Sequence, residues 1–229
     1  MHYCKNYILI LHDVSSGVQP SMYKEIFNMK LISHRRNTLS ELLATDSKYG
    51  IEVDIRSEGN RLIIHHDPCK GGESFDDWIN AYQHGTLILN VKEEGLEARL
   101  ISLMQSKGIT DFFFLDQSFP FLIKWSKAGE HRCAVRVSEF ESIETALTLA
   151  GKVAWVWVDC FTKFPLCEVD YVRLKNAGFK LCLVSPELQG RNAEIEIPAL
   201  VSLLRARKIE SDAVCTKRPD LWEKMAISQ

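Results

Sequence analysis

Short apolar runs alternate with longer stretches of mixed polarity from Lys30 to the C-terminus. The runs at 30–33, 51–55, 61–65, 87–91, 112–115, 133–137, 153–158, 179–184 and 213–215 are three to six residues of mainly Val, Ile, Leu, Phe and Trp, the composition and length of strands. Helix signals fill most of the gaps. Thr38 with Glu41 spells a capping box, with Gly50 as the stop. Ser74 with Asp77 starts a second helix that ends before Gly85, and Ser138 with Glu141 starts a third that runs into the apolar face at 147–150. Helices over 93–107 and 170–177 stop at Gly108 and Gly178.

Repeated strand–helix alternation predicts parallel strands joined by right-handed helical crossovers. With 61–65 counted as an extension of the second strand unit, eight strands remain. That number closes a single (β/α)8 TIM barrel, and 229 residues suit one. A doubly wound open sheet fits the alternation almost as well, and periodicity alone does not choose between them. Residues 1–29 stand apart as an N-terminal extension expected to pack on the barrel formed by 30–229. His12-Asp13 within it reads as a surface turn.

Hydrophobic residues make up 46% of the chain and charged residues 25%, an ordinary globular balance, and the net charge of -2 gives no footprint for nucleic acid or an anionic membrane surface. Seven cysteines without a Cys-x-x-Cys pair point to a reducing cytoplasm rather than to a disulfide framework. The apolar run at 7–11 is too short for a signal core, and no run approaches the roughly 20 residues of a membrane span.

The candidate chemistry collects at strand ends. Side chains alternate faces along a strand, so Glu52 and Asp54 point together into one volume, where a barrel places its interior. Two carboxylates there repel unless a hard cation such as Mg²⁺ or Ca²⁺ lies between them. Asn90 and Lys92 repeat the alternation on the next strand, offering a neutral oxygen and a point charge. His34-Arg35 and His66-Asp67 end two other runs, and paired histidines beside an arginine suit proton transfer on an anionic substrate. Any one of these pairs alone is most often a solvated strand end or a capped turn. Their coincidence at successive strand ends carries the signal. His65 is expected on the opposite face of its strand from His66, in a packing or hydrogen-bonding role. Trp155 and Trp157 share a face with Asp159, as barrel core or as an aromatic wall, and Arg136 is a weaker anion-site candidate.

These residues resemble the signature of glycerophosphodiester phosphodiesterases, phospholipase-C-like enzymes built on TIM barrels. The elements matched are His34-Arg35, Asn37-Thr38, Glu52-Val53-Asp54, His66-Asp67 and, at the closing strand, Thr216-Lys217-Arg218-Pro219, where the family has Thr-Asp-Arg-Pro. The resemblance spans 30–229. It implies His34 and His66 as the acid–base pair, Arg35 and Lys92 at the phosphate, and Glu52, Asp54 and Asn90 at a divalent cation, Mg²⁺ or Ca²⁺. Asn90 stands where the family has a third carboxylate, and the loop between His-Arg and Asn-Thr is missing.

The activity implied is phosphodiester hydrolysis, releasing a phosphomonoester such as glycerol 3-phosphate and an alcohol, on a small-molecule substrate in lipid metabolism. A phosphate-binding relative without catalysis, and a diesterase for sugar or polyol phosphodiesters, are the alternatives. An amidohydrolase-type site would need His-x-His on the first strand, which this chain lacks.

Overall fold

The computed structural model describes residues 29–227. In chain order the elements are β1 (Lys30–Ser33), α1 (Leu39–Ala44), β2 (Gly50–Glu58), β3 (Arg61–Ile64), β4 (Glu73–Ser74), α2 (Phe75–Asn80), β5 (Leu87–Val91), α3 (Glu97–Ser106), β6 (Phe112–Leu115), α4 (Phe119–Lys127), β7 (Ala134–Val137), α5 (Ile143–Leu147), β8 (Trp155–Val158), α6 (Glu168–Asn176), β9 (Lys180–Val184), α7 (Ala193–Ala206), β10 (Ala213–Thr216) and α8 (Pro219–Ile227).

The alternation resolves into a barrel. β1 pairs in parallel with β2 on one side and β10 on the other, so the first and last strands meet. β5 joins β2 to β6, and β7, β8, β9 and β10 follow in order, all parallel. The seam between β6 and β7 is the thinnest: the Phe114–Cys133 bridge, with the Phe114 N–H donating to the Arg132 carbonyl at 2.8 Å, closes the ring of eight. This is the expected TIM barrel and not the open sheet. β3 runs antiparallel to β2 and carries β4 on its far edge, the hairpin extension expected for 61–65.

Strand alternation builds two apolar layers. Ile51, Val53, Leu87 and Leu89 point outward into the main core beneath the helices. Ile32, Ile88, Phe113, Leu115, Trp155, Trp157, Cys182 and Cys215 point inward and fill the lumen. Phe113 stacks on Trp155 at 4.5 Å between ring centroids. The two tryptophans are therefore barrel core, and Cys182 and Cys215 serve as small hydrophobes.

Several local expectations need correction. Gly50 opens β2 rather than ending a helix: α1 stops at Ala44, and a Cβ at Gly50 would lie 2.5 Å from the Thr86 carbonyl oxygen, so glycine is there for close strand approach. Ser138 caps no helix. Its hydroxyl turns back to Glu141, and Ser142 caps α5. α3 begins at Glu97, not 93, because 93–96 form a turn. The Thr38–Glu41 capping box and the Ser74 cap are present as expected. Among the described residues no helix is long and apolar enough to cross a membrane. The expected N-terminal extension, apart from Met29, and His12-Asp13 lie outside the described residues.

Candidate active site

The site is built on the C-terminal ends of β1, β2 and β5. The β1–β10 pairing carries the His34 N–H to the Thr216 carbonyl at 2.9 Å. The chain then turns sharply at Arg35, whose φ of 54° lies in the left-handed region. Such a conformation costs a non-glycine residue about 1–2 kcal/mol and persists only when its surroundings enforce it. They do so here: the Arg35 N–H donates to Glu52 Oε2 at 2.7 Å, the Arg36 N–H to the Glu52 carbonyl at 3.0 Å, and the Trp78 indole to the Arg36 carbonyl at 3.0 Å. Asn37 and Asp54 exchange two bonds, Asn37 Nδ2 to Asp54 Oδ2 at 2.8 Å and the Asp54 N–H to Asn37 Oδ1 at 3.0 Å. This stitching replaces the missing loop and leads directly into the Thr38 cap of α1.

Glu52 and Asp54 are fully buried and lie in register beside Ile88 and Asn90. Asn90 Nδ2 donates to Glu52 Oε1 at 2.7 Å. The Arg35 guanidinium Nε is 3.1 Å from Asp54 Oδ2, and Lys92 Nζ is 3.3 Å from Asp54 Oδ1. His34 Nε2 lies 3.7 Å from Glu52 Oε2 with only 14% of its side chain exposed. Burial first, then the charge of Asp54, pushes the Glu52 carboxyl up to about 7. Burial first, then Arg35, Lys217, Lys92 and Arg36, pushes His34 down to about 3 and keeps its imidazole neutral at pH 7.

Six of the seven residues named from the sequence thus connect: His34, Arg35, Asn90 and Lys92 contact the carboxylates of Glu52 and Asp54 at 2.7–3.7 Å. His66 stands apart. It is 45% exposed, its Nδ1 bonded to Asp67 Oδ1 at 2.9 Å, and its carbonyl accepts from Arg56, which also donates to the Lys92 carbonyl. With Arg35, Asn37 and Asp67 it lines a cavity of about 510 Å³ at the mouth. His65 lines the same cavity, against the expectation of opposite faces: β3 ends at Ile64, and past that point the chain turns, so strand alternation no longer applies. A separate cavity of about 420 Å³ lies at the other end of the barrel, lined by Lys30, Tyr49 and Asp111, away from the carboxylates.

Two contributors were given no role from the sequence, although Asn37 stands in the matched Asn37-Thr38 element. Asn37 orients Asp54 from 17 residues away. Asp116, just past β6, takes Lys92 Nζ at 2.9 Å and the Arg136 guanidinium on its two oxygens. A polar residue directly after the all-aromatic-and-leucine run of β6 was the available signal for Asp116.

The donors available to a divalent cation are few. Among the described residues no group of three or more His, Cys, Asp and Glu side chains comes together as a metal cluster. What converges is two carboxylates and an amide, and two buried oxygens of that set, Asp54 Oδ1 and Asn90 Oδ1, accept no hydrogen bond. Oxygen donors left unsatisfied between mutually repelling carboxylates fit a hard cation.

No family model matches the sequence, and no curated protein matches it. Solved structures do. A glycerophosphoryl diester phosphodiesterase from Parabacteroides distasonis aligns with a TM-score of 0.63 at 11% identity, over 91% of this chain and 90% of that one. A glycerophosphodiester phosphodiesterase from Agrobacterium tumefaciens aligns at 0.59 and 15% identity, over 86% and 99%. A tryptophan synthase α-subunit variant from Pyrococcus furiosus, at 0.51 and 12% identity over 86% and 96%, shows how widely the barrel itself is shared. The chain has the (β/α)8 TIM-barrel fold, and glycerophosphodiester phosphodiesterases are among its structural neighbours.

Proposed function

We propose that the chain hydrolyses a phosphodiester of the glycerophosphodiester type, releasing a phosphomonoester such as glycerol 3-phosphate and an alcohol. One observation carries this reading: His34, Arg35 and Lys92 converge on the fully buried pair Glu52 and Asp54 at the barrel mouth, where enzymes of this fold perform their chemistry. The solved neighbours named as phosphodiesterases support it.

A divalent cation, Mg²⁺ or Ca²⁺, held by Glu52, Asp54 and Asn90, would supply Lewis-acid stabilisation of negative charge on a phosphate oxygen. Arg35 and Lys92 donate to the remaining phosphate oxygens, their charges preset by Asp54 rather than recruited from solvent. His34, neutral and buried, accepts the proton of the attacking water. His66 protonates the departing alcohol oxygen, with the Asp67 carboxylate on its Nδ1 fixing the ring. One P–O bond forms and one breaks, and the proton taken at His34 is matched by the one given at His66.

A second reading keeps the fold and removes the chemistry. The exposed His66, turned to Asp67, and the amide at position 90 favour a phosphate-binding relative. A screen of phosphodiesters with Mg²⁺ or Ca²⁺ added, identifying the released phosphomonoester, separates the two. Turnover abolished by chelator and by His34→Ala is the expected result. Binding of a diester without turnover across the screen would leave the second reading standing.

A further inference from the structure

Lys92 sits between two carboxylates, and the second of them is not needed for binding phosphate. Its ammonium is 2.9 Å from Asp116 Oδ2 and 3.3 Å from Asp54 Oδ1. The contact with Asp54 falls short of a hydrogen bond, so Asp54 Oδ1 is left without one. Asp116 is held in place from both sides. Its other oxygen accepts from Arg136, and its backbone takes a left-handed φ of 59° directly after β6. An aspartate anchored by two cations at a strand end is the mark of a positioned group.

We propose that Asp116 is a positioning residue that holds Lys92 off Asp54, leaving Asp54 Oδ1 free for a divalent cation. The inference rests on the reading of Glu52, Asp54 and Asn90 as the cation site. Without Asp116 the nearest carboxylate to the ammonium is Asp54. A buried ammonium moves to its nearest carboxylate and makes the full hydrogen bond, because an unpaired charge there is costly. Lys92 would then occupy the oxygen the cation requires. Asp116 thereby reconciles two demands on adjacent groups: a cationic donor for phosphate and an open carboxylate oxygen for metal.

The test is a double-mutant cycle read by calorimetric titration with Ca²⁺, independent of turnover. Asp116→Asn keeps the backbone, since asparagine tolerates the left-handed conformation; Asp116→Gly removes that requirement altogether and guards against misfolding. Either variant should weaken Ca²⁺ binding by about tenfold, within the range of coupled neighbouring charges. Lys92→Met should tighten it. Combining Lys92→Met with Asp116→Asn should bind like Lys92→Met alone, because the lysine is the intermediary. If Asp116→Asn weakens binding equally in the Lys92→Met background, Asp116 acts only through its own field and the positioning role fails. It fails too if Asp116→Asn and Asp116→Gly both bind as the unmodified chain does. No Ca²⁺ or Mg²⁺ binding by the unmodified chain would instead remove the cation site itself, and the inference with it.

Discussion

One lumen has two unlike walls. On the β1, β2 and β5 side, above the inward Ile32 and Ile88, lie the polar groups His34, Glu52, Asp54, Asn90 and Lys92. On the β6, β8 and β9 side the inward positions are Phe113, Leu115, Trp155, Trp157, Cys182 and Val184. The same two-residue alternation produces both, and the register puts them in direct contact: Glu52 lies beside Ile88, and Ile88 beside Phe113. The apolar wall sets the electrostatics of the charged wall. Water excluded by stacked aromatics is water unable to solvate Glu52, and burial is the first cause of its raised pKa. On the proposed function, the charged wall would contribute chemistry at a cost in stability, while the apolar wall contributes stability and sets the dielectric around those groups.

If the division holds, substitutions in the two walls should fail in different ways. The largest effect is expected from His34→Ala, which should lower diesterase turnover by about 10³-fold, within the usual range for a general base, with little change in thermal stability. Turnover surviving that change would dissolve the distinction between the walls. Phe113→Ala, on the opposite wall, should cost about 3–5 kcal/mol of stability through the lost stack on Trp155, visible as a melting point lower by roughly 10 °C. A Phe113→Ala chain that melts normally but loses turnover would reverse the assignment.

The apolar wall was almost wholly legible in the sequence, and the charged wall only partly. Runs such as Phe112–Leu115 and Leu87–Val91 read correctly because a buried parallel strand is a continuous apolar run with few competing interpretations. The common face of Glu52, Asp54 and Asn90 was legible for the same reason, alternation from a fixed strand. What alternation could not reach lies past the strand ends. His65 and His66 share a cavity because the chain turns after Ile64. Asn37 and Asp116 act through partners 17 and 24 residues away, and a contact of that separation leaves no local periodic trace. Helix starts were misread where a serine had an alternative partner, as Ser138 has in Glu141.

The stitching between the walls offers a subtler discriminator. Asn37 makes the reciprocal pair with Asp54, so Asn37→Ala leaves a buried carboxylate short of a donor and should cost about 1–3 kcal/mol. Because the loss falls on the charged wall, turnover should decline more steeply than stability, by tenfold or more at constant fold. Measuring both on the same variant tests whether Asn37 orients Asp54 or merely packs beside it. A stability loss with unchanged turnover supports packing alone.

The smallest expected effect lies on the rim, where the walls end and their loops meet. Glu139, after β7, accepts from the N–H groups of Phe161, Thr162 and Lys163, tying its loop to the one after β8. Burial raises its carboxyl, but the Lys163 and Thr162 N–H groups outweigh burial and hold it down at about 2. A carboxylate with a folded pKa below its unfolded value stabilises the fold above that unfolded value of 4.5 and loses the contribution as pH falls toward 2. Glu139→Gln should therefore destabilise by about 1 kcal/mol at pH 7, a modest figure because solvent screens an exposed group. The difference from the unmodified chain should narrow between pH 4.5 and 2 in denaturant titrations. A gap that stays constant across that window would mean the Glu139 contacts hold the rim by shape and not by charge, and the rim would then belong with the apolar wall.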